Sequence, residues 1–117
     1  MNYVFVFIGG GVGSILRFAL SNALGVYAFP WATWIANMLA ACVIGVLVGL
    51  GIREHQPSYW LLLAVGFCGG LSTFSTFSLE TLQLLRQGSW LLLTLQVFSS
   101  VILSVGAVYL FMRISQK

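Results

Sequence analysis

The sequence predicts an all-α membrane protein of four transmembrane helices, broken in the third, that assembles as an antiparallel dual-topology homodimer. Three observations lead there. Of 117 residues, 60% are hydrophobic and only 6% charged, and the mean hydropathy is +1.03. A water-facing domain carries about 25% charged residues, so lipid must cover most of this chain. Apolar runs of ~20 residues, the length that crosses a bilayer, fit four times into the sequence. The third run alone has a Gly-Gly pair and a string of hydroxyls at its centre. This composition excludes a disulfide-stapled secreted scaffold, a nucleic-acid binder and an ordinary cytosolic enzyme.

One transmembrane domain is expected over residues 1–117, with spans at about 3–24, 31–52, 59–85 and 89–112. The first is interrupted only by Arg17 and a few small polar residues. It has no basic leader and no cleavage site before the next span, so it does not read as a signal peptide. A turn over 25–30 ends at Pro30, a residue suited to a helix start. The second span is uncharged. Its glycines extend a stripe Asn37-Ala41-Gly45-Gly49, every fourth residue, which turns Asn37 toward another helix and away from lipid. Gly9 with Gly13, and Gly66 with Gly70, mark further close approaches. The polar loop 53–58 follows, with His55 solvated within it. The fourth span is also uncharged and leads into a polar tail.

Basic residues set the orientation of such chains. Arg53, Arg113 and Lys117 share one side and Arg17 and Arg86 the other, three against two. That near-balance predicts insertion both ways round, and hence pairing of antiparallel copies about an axis in the membrane plane. The basic residues are scattered, which suits neither nucleic acid nor a headgroup patch. Cys42 and Cys68 lie in apolar stretches and read as small hydrophobes.

Chemistry concentrates in the third span. A straight helix over 59–85 would be ~40 Å long against a ~30 Å hydrocarbon core. Glycine and hydroxylated residues weaken the helix around Gly69-Gly70-Leu71-Ser72-Thr73. Backbone groups released there must be buried in protein, line a cavity or hold an ion. Phe74 and Phe77 share a helix face among Ser72, Thr73, Ser75 and Thr76, so one wall offers both O–H donors and ring edges. A phenyl edge is electropositive and favours an anion. Gln96, Ser100 and Ser104 form a second polar line on the fourth span, as a pathway or as interhelical bonds. Glu80 lies one turn beyond Phe77. Arg17 is either functional or snorkels to the interface. No metal-ligand spacing, nucleotide loop or paired nucleophile and base supports catalysis.

The run Gly69-Gly70-Leu71-Ser72-Thr73-Phe74-Ser75-Thr76-Phe77-Ser78 with Glu80 resembles the signature of the Fluc (CrcB-type) fluoride channels. Gly10–Gly13 through Arg17 and Asn37 add to the match, which extends over all four spans. The resemblance implies antiparallel homodimers in the cell (inner or plasma) membrane with two anion pathways. These would let fluoride leave passively, lowering cytoplasmic fluoride and giving fluoride resistance. Asn37, Phe74 and Phe77 would line the path with Ser75, Thr76, Ser100 and Ser104. A structural sodium ion, not transported, would sit on the dimer axis between the Gly69 and Ser72 carbonyls of both copies. A side chain at Gly69 is then expected to crowd the break. Arg17, Thr73, Glu80 and Gln96 are possible supporting polar residues. Ser72 stands where some members have threonine, Ala36 where many have valine, and Ala40-Ala41 where a glycine is common. The position of Gln96 varies, so its role carries over most weakly.

The alternative is a small multidrug-type, proton-coupled transporter of similar length. Such transporters use a carboxylate deep in the first span, and this one offers only Arg17. A non-conducting regulatory subunit would leave the third-span run without a purpose.

Overall fold

The computed structural model describes residues 1–25 and 29–116; part of the expected 25–30 turn, and the Lys117 contribution to topology, lie outside them. Helix α1 covers Asn2–Leu24 and stops at Gly25, whose φ of +70° is open to glycine without a Cβ penalty. Helix α2 covers Trp31–Gly49. Gly51, with φ +68°, turns the chain into the one-turn helix α3, Ile52–His55. Pro57 opens another single turn, α4, Pro57–Trp60. The third span continues as a π-helix over Leu61–Cys68, then α5, Gly69–Leu71, and α6, Ser75–Arg86. Helix α7 covers Trp90–Ser115.

Four segments are long and apolar enough to span a membrane: Asn2–Leu24, Trp31–Gly49, Pro57–Arg86 and Trp90–Ser115. The second is shorter than the predicted 31–52 because Gly51 leaves the helical region of backbone space. The fourth runs beyond 112 because Arg113-Ile114-Ser115 contains no breaker. Among the described residues there is no strand. This is a multi-pass, all-α membrane protein.

Helix α1 packs along the π-helix and α5, and α2 packs along α7. Lipid is as apolar as leucine, so these contacts rest on close backbone approach and not on hydrophobic expulsion. Gly9 and Gly13 lie over the Leu62 and Phe67 carbonyls, where a methyl group would collide with backbone. Gly66 and Gly70 face α1 in return. Gly45 and Gly49 let α2 sit against Val108 and Met112 of α7. The small buried centre comprises Ala36, Ala40, Cys68 and Leu71, flanked by Leu20, Val43, Ile44 and Phe67. Most large side chains of α1 and α7 face outward, as lipid-covered helices require.

Candidate functional site

The end of α5 and the start of α6 are joined by three residues, and the helical hydrogen-bond pattern stops after Ser72. Ser72 is extended, with φ −80° and ψ 153°. Its amide and its hydroxyl both donate to the Cys68 carbonyl, at 2.9 and 2.7 Å. The Thr73 amide donates across to Asn37 Oδ1 on α2 at 3.1 Å. The Thr76 amide, in the first turn of α6, donates to Thr73 Oγ1 at 3.3 Å. Thr73 Oγ1 also lies 3.2 Å from Ser75 Oγ. From the other side, Arg17 Nε donates to the Gly70 carbonyl at 3.2 Å. Arg17 is half-buried against the third span. Its positive charge sits where helix carbonyls run out of amide partners, the electrostatically favoured end.

Asn37, Phe74, Phe77, Ser100 and Ser104 line one open groove of about 570 Å³, together with Gly69, Ser72 and Thr73. Aliphatic residues of α2 and α7 complete it, among them Ala41, Ile44 and Val105. The Phe74 and Phe77 rings stack with centroids 5.8 Å apart and planes 30° apart. Phe74 is 78% exposed on this side. Asn37 Oδ1 is occupied by the Thr73 amide, so the carboxamide is held with its two N–H donors uncommitted. Gly69 is exposed, and a Cβ there meets nothing within 4 Å. A side chain at Gly69 therefore crowds nothing within its own chain, contrary to the expectation from sequence.

Ser75 and Thr76 are placed differently from expectation. Phe74 and Phe77, three apart, take the groove side of α6, which turns the two intervening hydroxyls to other angles, outside the lining. Gln96 follows the interhelical alternative for its polar line. It is 1% exposed, and its Oε1 lies 3.4 Å from Thr81 Oγ1, whose hydroxyl also donates to the Phe77 carbonyl at 2.8 Å. Ser100 both lines the groove and is itself buried.

Among the described residues, Gln96 Nε2, Ser100 Oγ and Glu80 Oε1 are buried polar atoms with no hydrogen-bond partner. Glu80 lies beside the Thr33 side chain and opens onto a second, more polar recess of about 360 Å³. Ser21, Gln83 and Gln87 are among its lining residues. Thr33 and Thr81 were not singled out from sequence. Thr33 had a readable signal, since it stands four residues before Asn37 on the small-residue stripe. Thr81 and the Trp34 Nε1 to Ser99 Oγ bond at 3.0 Å carried none. No group of three His, Cys, Asp or Glu gathers among the described residues. A cation at this site would have to be held by carbonyl and hydroxyl oxygens.

A family model described as "CrcB-like protein, Camphor Resistance (CrcB)" matches residues 4–112. A "Fluoride-specific ion channel FluC" of Pyrococcus furiosus is 46% identical over 109 residues, covering 90% of this chain and 88% of the relative. Another so named, from Magnetococcus marinus, is 43% identical over 115 residues, covering 94% of each. A third, from Phocaeicola vulgatus, is 41% identical over 109 residues, covering 90% of each.

Proposed function

Because this chain belongs to the CrcB-like protein family, we propose that it is a fluoride-specific channel through which fluoride leaves the cell passively. The observation that carries this is the groove in which Asn37, Phe74, Phe77, Ser100 and Ser104 converge. Fluoride is small and strongly hydrated, so a pore must replace its water with several donors. The Asn37 N–H groups, the Ser100 and Ser104 hydroxyls and the phenyl edges of Phe74 and Phe77 supply them. Beside Ser100, the buried Gln96 Nε2 is a further donor without a partner among the described residues. Ser75 and Thr76 serve as donors only at the flank of the groove. The relatives are named as fluoride channels and not as transporters, and no observation favours the proton-coupled alternative.

The groove is open on the side where Phe74 and Gly69 are exposed. A second, antiparallel copy laid over it would enclose the path and bring the two Gly69 surfaces together, giving the dual-topology homodimer. The oxygen donor set there fits a sodium ion. Gly69 is exposed and has no side chain of its own, and Ser72 has extended backbone. Bound there, sodium would supply the positive charge that lets four carbonyls of two copies face each other.

Purified protein in liposomes tests the function. Fluoride efflux without any added partner or proton gradient supports the channel. Efflux that requires a proton gradient, or none at all, overturns it.

A further inference from the structure

In a continuous helix each carbonyl accepts from the amide four residues on. The carbonyl of Gly69 would take the Thr73 amide, and that of Ser72 the Thr76 amide. Neither amide is available. Thr73 N–H goes to Asn37 Oδ1 at 3.1 Å, and Thr76 N–H goes to Thr73 Oγ1 at 3.3 Å. The neighbouring carbonyls are treated differently. Cys68 accepts from both the amide and the hydroxyl of Ser72, and Gly70 accepts from Arg17. The extended backbone at Ser72 interrupts the helix, and side chains take up the two released amides and fill the neighbouring carbonyls.

We infer that Asn37 and Thr73 are positioning residues for the cation site: their side-chain oxygens draw off the two amides that would otherwise cap the Gly69 and Ser72 carbonyls. The inference rests on the sodium reading given above. It assigns Asn37 two separable duties, one for each end of its carboxamide. The oxygen keeps a carbonyl free, and the N–H groups face the anion path. Thr73 does the same for Ser72 without lending a donor to the path, because its hydroxyl is engaged with Thr76 and Ser75.

The two oxygens can be removed or kept independently. Asn37→Ala and Thr73→Val delete the acceptors and leave each amide free to compete for the carbonyl four residues back. Asn37→Asp and Thr73→Ser keep an acceptor in place. The readout is the sodium concentration at half-maximal thermal stabilisation of the purified homodimer in fluoride-free detergent. Sodium chloride is titrated against an inert organic-cation chloride. Ligand binding to the folded state alone raises stability by mass action, so the midpoint reports affinity without reference to conduction. The midpoint should rise about ten-fold in Asn37→Ala and in Thr73→Val, the scale of one net hydrogen bond competing for the carbonyl. Asn37→Asp should stay within about two-fold of the parent or bind more tightly, although it conducts no fluoride. Thr73→Ser should match the parent. Deleted and conservative variants that titrate alike, whether both normal or both weakened, overturn the positioning role and leave the sodium site standing. A parent protein that sodium does not stabilise removes the site and this inference with it. Should Asn37→Ala not fold, Thr73→Val against Thr73→Ser decides by itself.

Discussion

At the scale of single residues, donors matter more than charge in the proposed path. Asn37→Asp exchanges two N–H donors for a carboxylate facing an anion path, where like-charge repulsion is weakly screened. Liposome efflux should drop to background while the variant still elutes as a dimer. Phe74→Ile and Phe77→Ile keep bulk and apolarity but lose the electropositive ring edge. Each should lower efflux about ten-fold, the scale of one aromatic contact. Normal efflux in all three would move the path to the buried Gln96 layer. Asn37 was legible because every-fourth small residues betray the face of a helix that meets another helix. The Phe74–Phe77 wall was legible from spacing alone. For Gln96 the sequence leaves a pathway and an interhelical bond equally open. Its spacing from Ser100 gives the shared face, and only the packing of α6 against α7 brings Thr81 beside its oxygen. The role of Thr73 was illegible because it depends on which backbone amide lacks its usual acceptor.

Among elements, glycine decides how closely spans approach. Gly9→Ala and Gly13→Ala drive a methyl group into the Leu62 and Phe67 carbonyls, which must move apart. Each should cost about 1–3 kcal/mol of stability, as overpacking does elsewhere, and show as a lowered thermal midpoint of the purified protein. Gly106→Ala, where a Cβ meets nothing within 4 Å, should leave that midpoint unchanged. Gly69→Leu makes a sharper contrast. Its Cβ meets nothing within 4 Å of its own chain, but the variant should reduce the dimer fraction on size exclusion, because the added side chain sits where the partner copy is placed. An intact dimer in Gly69→Leu would put the interface elsewhere. The four spans were readable because length and apolarity suffice to identify them. The π-helix over Leu61–Cys68 was not: its residues are uniformly apolar and show no periodicity from which an altered turn could be read.

For the molecule as a whole, orientation in the membrane is the governing property. The described structure carries Arg53 over the Trp60 ring, 5.8 Å from its centroid, which places one basic residue beside an aromatic ring near the start of the third span. With three basic residues against two, compartment-specific reporters fused to the C-terminus should register on both sides of the membrane in one population of cells. A single orientation would overturn the antiparallel arrangement.

The open groove then has a genetic consequence. If Phe74 and Gly69 are covered only by an inverted sister molecule, a population forced to insert one way contains no usable partner. Two lysines added to the 53–56 loop should bias one allele, and two added near residue 88 should bias another the opposite way. Either allele alone should leave a fluoride-sensitive host unprotected, and the two expressed together should restore growth. Complementation between two copies of one gene, each inert by itself, would then be the signature of a half-walled groove.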